Sequence, residues 1–176
     1  MHLAKRSTVV FTFLMLLTAP RLLADNFIWS KEPFRERMLG HINGVCYHFS
    51  DNREELNELN YGLGFSYLLG EFSPGVRWLG GVRAYAEFDA YSDSYSDLGY
   101  LFAVALQHRF WGKLDWGANI GFVHEDSLHR KTGMYLHPFV IPYFQTNFDC
   151  PLNLRLVLIP PVNNDGVIAL QAITRF

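Results

Sequence analysis

The chain has 176 residues, of which 49% are hydrophobic and 16% aromatic, and its formal net charge is −2. This length fits one domain, and the absence of a basic patch excludes the usual nucleic-acid binders. Its histidines and cysteines lack metal-ligand spacing, and the sequence has no phosphate-binding or dinucleotide motif. The sequence therefore implies no metal, no cofactor and no nucleic-acid partner.

Residues 1–24 are typical of a secretory signal peptide. Lys5 and Arg6 precede a short apolar stretch, Ser7 to Leu17, and Ala24 offers a small residue for cleavage. The apolar stretch is shorter than the roughly 20 residues that a membrane-spanning helix needs. Cleavage after Ala24 would remove three basic and no acidic residues, which changes the formal charge from −2 to −5.

Residues 25–39, DNFIWSKEPFRERML, mix charged side chains with aromatic and aliphatic ones. This mixture predicts a short amphipathic helix, which Pro33 either starts or breaks. Such a helix lies on a membrane surface, here on the periplasmic side, or packs against a soluble domain, and the segment itself favours neither.

From residue 40 onward, side chains alternate with a period of two, which is typical of strands. One face is aromatic or aliphatic and the other is small, polar or charged. In a narrow barrel the compact residues fit inside, and the bulky face then meets lipid. We expect an all-β fold, an eight-stranded antiparallel transmembrane up-and-down β-barrel over 40–176. The predicted strands are 40–50, 61–70, 76–90, 98–110, 114–126, 134–147, 152–161 and 167–176.

Two further features favour a bacterial outer membrane. Short turns alternate with longer polar connections, as in barrels that keep short turns on the periplasmic side and long loops outside. Aromatic residues near the strand ends fit the girdles at the two membrane interfaces; they are Tyr61, Trp78, Tyr100, Phe110, Trp116 and Tyr143. We expect a monomer whose partners are outer-membrane lipids.

The inward residues divide by depth. Those of the periplasmic half are charged or amide-bearing and can pair into an ionic plug; they are Arg77, Gln107, Arg109, Asp115, Asn119, Asn153, Arg155, Gln171 and Arg175. The outer half is small and apolar, so it is either tightly packed or an apolar slot for one acyl chain. The predicted slot lining is Leu101, Ala103, Gly121, Val157 and Ile159.

Prolines on two adjacent predicted strands predict a gap in the wall of the barrel. Pro142 lies inside one predicted strand, and Pro160 and Pro161 lie at the outer end of the next. Proline has no N–H for the ladder, so adjacent strands that carry it leave a local opening. A lateral entrance for a lipid tail is one use of such a gap; simple strand termination is the other interpretation.

Few groups at the outer rim could carry chemistry. His48 and Asp89 point inward by parity, and the following loop holds Asp93 and Ser94. A histidine, an aspartate and a serine that meet could activate a hydroxyl for acyl transfer. The same residues are also compatible with a solvated rim. Cys46 and Cys150 are expected near opposite ends of the barrel, which excludes a disulfide between them.

These features together resemble the lipid A palmitoyltransferase (PagP-like) family of outer-membrane barrels. The resemblance is carried by VCYHFSDNREELNELNYGLGFSY and by HPFVIPYFQTNFDCPLNLRLVLIPPVNNDGVIALQAITRF, with its prolines, NNDG and terminal aromatic strand. It implies transfer of a palmitoyl chain from a phospholipid to lipid A, and recognition of the last strand, ending in Phe176, by the barrel assembly machinery.

By this resemblance His48 matches the catalytic histidine of the family. An ungapped match places Asp89 on the family's aspartate but Ala90 on its serine, whereas a shortened loop places Asp93 and Ser94 there. The ungapped match also places Leu101 on the glycine that measures chain length, which implies a shorter acyl chain. The alternatives are a non-catalytic barrel for structure, adhesion or ligand binding, and a hydrolase of lipid A esters.

Overall fold

The computed structural model describes residues 26–49, 53–74, 80–162 and 165–176, so the predicted signal peptide lies outside the described residues. Two short elements, β1 (Phe27–Trp29) and α1 (Phe34–Arg37), precede eight longer strands. These strands are β2 (Met38–Phe49), β3 (Leu59–Phe72), β4 (Val82–Ser92), β5 (Leu98–Trp111), β6 (Leu114–Glu125), β7 (His137–Thr146), β8 (Leu152–Val162) and β9 (Asp165–Arg175). A 3₁₀ turn (Arg53–Glu55) follows β2, and α2 (Asp126–Thr132) follows β6.

The eight strands form a closed antiparallel barrel. Each strand from β2 to β9 pairs with its neighbours along the chain, and β9 pairs with β2 to complete the ring. The predicted eight-stranded antiparallel barrel is therefore confirmed. No helix among the described residues is long and apolar enough to span a membrane.

The alternation of side chains follows the predicted faces. On β5, Phe102 and Val104 are exposed outward, while Ala105 and Gln107 are buried inside. Among the girdle residues that the structure describes, Tyr143 is the exception, because its side chain is 1% exposed and belongs to the core inside the barrel. Its phenol packs there beneath the guanidinium of Arg155, 4.4 Å from the ring centroid. Trp78, also predicted for the girdle, lies outside the described residues.

The two ends of the barrel differ in their connections. The end with the tight turns between β5 and β6 and between β7 and β8 also carries β1 and α1; we call it the turn end. The opposite end carries the 3₁₀ turn, the β4–β5 loop and α2; we call it the loop end. The β6–β7 connection, predicted as a polar loop, forms the helix α2, which ends where Gly133 adopts φ +73°.

The predicted amphipathic helix at 25–39 is mostly absent from the described part of that segment. Only the four residues of α1 are helical, and β1 instead extends the sheet by pairing Phe27 with Phe72. A strand forms here because β3 extends beyond the first residue of β2. The N–H and C=O groups in this extension of β3 would lack partners, and β1 pairs with them. Arg37 then anchors α1 by donating from Nε to Leu68 O at 2.9 Å.

Candidate active site at the loop end

A bulge in β2 decides which histidines face the lumen. The registers of β2 with β3 and with β9 both shift just after Asn43. The extra residue reverses the parity, so that His41 and Asn43 point inward below the bulge and Cys46 and His48 point inward above it. Strict alternation placed His48 inward but His41 outward, and the sequence analysis therefore missed His41.

His48 lies at the loop end with a serine hydroxyl beside its ring. Its side chain is buried, and Nε2 is 3.2 Å from Ser94 Oγ in the β4–β5 loop. The thiol of Cys46, two residues earlier on the same face, lies 3.4 Å from the same nitrogen. A hydroxyl within hydrogen-bond distance of an imidazole is the minimal arrangement for general-base activation.

Asp93 organises the loop that presents Ser94. Its Oδ1 accepts hydrogen bonds from the backbone N–H groups of Tyr95, at 2.8 Å, and Asp97, at 2.9 Å. Its Oδ2 is buried and has no hydrogen-bond partner among the described residues. Asp93 thus holds the backbone on both sides of Ser94 in a turn.

Asn57, from the connection between β2 and β3, fastens this loop to the barrel. Its backbone N–H donates to Ser94 O at 2.7 Å, and its side-chain Nδ2 donates to Asp93 O at 3.3 Å. Its Oδ1 accepts from the backbone N–H of Leu59 at 3.0 Å. The sequence analysis assigned no role to Asn57, because a contact between two separate loops has no signature in the spacing of residues.

Asp89 belongs to a different group of residues, deeper in the lumen. Its carboxylate accepts from His41 Nδ1 and from Asn43 Nδ2, each at 3.2 Å. Ala90 follows on the outward face of β4, in register with Leu63 and Tyr100. The structure therefore brings Ser94, and not Ala90, to His48. Asp89 was predicted to lie beside His48 at the rim, but it lies deeper in the lumen.

The turn half of the lumen is a polar plug, as the depth pattern predicts, although Glu87 and Arg83 were not among its predicted members and the predicted member Arg109 is mostly exposed. Arg155 donates to both carboxylate oxygens of Glu87, each at 2.9 Å, and Asn119 donates to Glu87 at 2.7 Å. Asp115 accepts from Gln107 at 2.7 Å and from Arg83 at 2.8 Å. Arg77, predicted as a member of the plug, lies outside the described residues.

On three adjacent strands the inward residues change from polar to apolar within one row, whereas on β4 Glu87 and Asp89 lie in register with the predicted slot residues Ala103 and Leu101. In the register of β2, β9 and β8, the row Asn43, Gln171 and Arg155 is polar. The next row towards the loop end contains Cys46, Ala169 and Val157, and the row above it contains His48, Val167 and Ile159. His48 therefore stands at the top of an apolar section of the lumen wall that β2, β9 and β8 form.

The predicted slot residues lie at the lower boundary of this apolar section, towards the plug, or nearer the loop end. Val157 packs with Tyr85, Ala105 and Tyr143 in a buried cluster that closes the lumen towards the plug. Nearer the loop end, the remaining predicted lining residues keep part of their surface accessible, although they point inward: Leu101, Ala103, Gly121 and Ile159. This pattern of a closed floor below accessible walls is what an apolar pocket open at the loop end requires.

The wall of the barrel is interrupted between β7 and β8. Among their described residues the ladder consists of three pairs: Tyr143 with Val157, Phe144 with Leu156, and Gln145 with Arg155. Towards the loop end Pro142 and Pro160 line a groove of about 560 Å³ together with Phe49, Ile159 and Val167. The strands separate where the prolines lack the N–H groups that a ladder uses. We call this opening the β7–β8 seam.

Comparison with known proteins adds no family to this description. No protein-family model matches the chain, and no curated protein matches it at a significant level. The resemblance to the palmitoyltransferase family thus depends on the residues quoted above.

Proposed function

We propose that this protein is an outer-membrane acyltransferase that moves a fatty acyl chain from a phospholipid to lipid A. The observation that carries the proposal is the 3.2 Å contact between His48 Nε2 and Ser94 Oγ, at the top of an apolar lumen beside an open seam. The bulky outward face, with exposed Leu63, Phe102 and Val140, supports insertion in a bilayer.

The reactive pair lies close to a route for a lipid tail. His48, Val167 and Ile159 form one row across three adjacent strands, and Ile159 and Val167 line the groove at the seam. Two strand spacings separate His48 from Ile159, which is about 10 Å between their backbones. A tail that enters through the seam would thus place its ester near His48, with the chain in the apolar section of the lumen.

The chemistry follows from a base and a hydroxyl in contact. His48 Nε2 takes the proton of Ser94 Oγ as this oxygen attacks the ester carbonyl of the phospholipid, and the glycerol oxygen leaves with that proton. The acyl chain is then an ester of Ser94. A hydroxyl of lipid A gives its proton to His48 as it attacks the acyl carbonyl, and Ser94 Oγ leaves and recovers the proton.

Mass spectrometry of lipid A tests the proposal. We expect cells that express the protein to show lipid A heavier by one acyl chain, and cells that express His48→Ala or Ser94→Ala to show no such gain. Matched controls are His137→Ala, a histidine of the loop end outside the site, and Ser96→Ala, an exposed serine of the same loop. Both controls should retain the mass gain.

The other results separate the alternatives. Loss of one acyl chain, dependent on His48, would identify a hydrolase in which water replaces the lipid A hydroxyl. An unchanged lipid A with a correctly assembled barrel would exclude acyl transfer and favour a non-catalytic barrel.

A further inference from the structure

Two groups compete for the same nitrogen of His48. Ser94 Oγ is 3.2 Å and Cys46 Sγ is 3.4 Å from Nε2. To act as a base, His48 must present Nε2 without a proton, and this nitrogen then has one lone pair for one hydrogen bond. A thiol proton directed at Nε2 would displace the hydroxyl that the reaction uses.

The thiol has another acceptor within reach. Cys46 Sγ donates to Asn60 Oδ1 at 3.1 Å, a shorter contact than the one it makes with His48, and a longer contact of 3.6 Å joins it to Asn57 O. Asn60 is the second residue of β3 and follows Asn57 by three positions. The backbone N–H of Asn57 donates to Ser94 O at 2.7 Å. One short stretch of chain therefore holds the serine near the imidazole and draws the thiol proton away from it.

We infer that Asn60 is a positioning residue that makes Ser94, and not Cys46, the hydrogen-bond partner of His48. This inference rests on the proposed function for its consequence in catalysis, but the arrangement itself is measurable without any lipid. When the carboxamide is removed, His48 Nε2 at 3.4 Å is a nearer acceptor than Asn57 O at 3.6 Å, and the thiol proton turns to Nε2. Cys46 then loses its proton to His48 more readily and reacts faster with alkylating reagents, because the thiolate is the nucleophile.

Alkylation by N-ethylmaleimide, followed by peptide mass spectrometry, measures the reactivity of the Cys46 thiol directly. Cys150, exposed at the turn end, is an internal control in the same chain. We expect Asn60→Ala to raise the ratio of Cys46 to Cys150 labelling roughly fivefold, the change that one hydrogen bond between neutral groups typically makes. Asn60→Asp keeps an acceptor oxygen and should not raise the ratio. His48→Gln in the Asn60→Ala chain should abolish the increase.

The consequence for catalysis is tested by rescue. Asn60→Ala should lower the rate of acyl transfer, and Cys46→Ala in the same chain should restore most of it, because the competing thiol is gone. Folding of each variant is checked by heat-modifiable electrophoretic mobility. An unchanged labelling ratio in Asn60→Ala, or a double variant no more active than Asn60→Ala, overturns the inference. If the unaltered protein transfers no acyl chain, the proposed function fails, while the labelling ratio still decides the role of Asn60.

Discussion

Replacement of Arg155 by methionine should destabilise the barrel by breaking its buried ion pair. Arg155 is 1% exposed; it donates to both oxygens of Glu87 at 2.9 Å and to Gln145 at 2.9 Å. Removal of one partner of a buried pair typically costs about 3–5 kcal/mol. We expect about 3 kcal/mol, near the lower limit, because Glu87 keeps hydrogen bonds from Ser66 at 3.0 Å and Asn119 at 2.7 Å.

Urea unfolding of the reconstituted barrel, followed by tryptophan fluorescence, measures this loss of unfolding free energy. Arg109→Met is the matched control, because the Arg109 side chain is 65% exposed and its ion pair should contribute less than about 1 kcal/mol. The double variant Glu87→Gln with Arg155→Met should recover roughly 2 kcal/mol, since no unpaired charge remains. An Arg155→Met barrel as stable as Arg109→Met would refute the reasoning.

Three further predictions concern the seam, the slot and the wall. Ile141 and Ile159 lie one inward position beyond Tyr143 and Val157, the last pair of the β7–β8 ladder. In a chain without other cysteines, a disulfide between cysteines at these two positions should block acyl transfer, and its reduction should restore the activity; equal activity in both states would exclude entry through the seam. Leu101→Gly should shift the transferred chains to greater length in lipid A mass spectra, and an unchanged length would place the end of the slot elsewhere. Gly64→Ala should cost about 1–3 kcal/mol in urea unfolding, because its Cβ would overlap Asp89 Oδ1 and lie 2.5 Å from Phe88 O.

The controls for these variants come from the same chain. The seam variant is compared with each single cysteine, which cannot form the bridge. For the wall, Gly80→Ala should be nearly neutral, because among the described residues outside its chain neighbours the nearest atom to its Cβ would be His108 Cε1 at 3.6 Å. If Gly64→Ala were equally neutral, the tight fit around Asp89 would be contradicted.

Mutations in the plug and mutations at the reactive pair should affect different properties of the protein, its stability and its rate of acyl transfer. The plug lies one row of residues below the row that contains Cys46, and His48 lies above it. Changes in the plug should therefore reduce stability before they reduce the rate of acyl transfer, whereas changes at Ser94 or His48 should do the reverse. This expectation matches the general separation between residues that support a fold and residues on loops that carry its function.

The sequence alone determined the barrel, because strand periodicity is a local property. Side chains that alternate between a bulky and a compact face leave little freedom in which face is inside, and each strand repeats the same signal. The polar plug was predictable for the same reason, since each of its members lies on the compact face. The interruption at Pro142 and Pro160 also follows locally, from the missing N–H of proline.

Only the tertiary structure decided which residues meet. The bulge after Asn43 turned His41 into the lumen, where it contacts Asp89, and a single extra residue in a strand leaves no pattern in the sequence. The β1 strand replaced the expected helix because β3 offered a free edge, which is a property of the folded sheet. Ser94 reached His48 because Asn57, in the connection before β3, binds the loop that follows β4. Contacts of this kind depend on how the strands pair and not on any local run of residues.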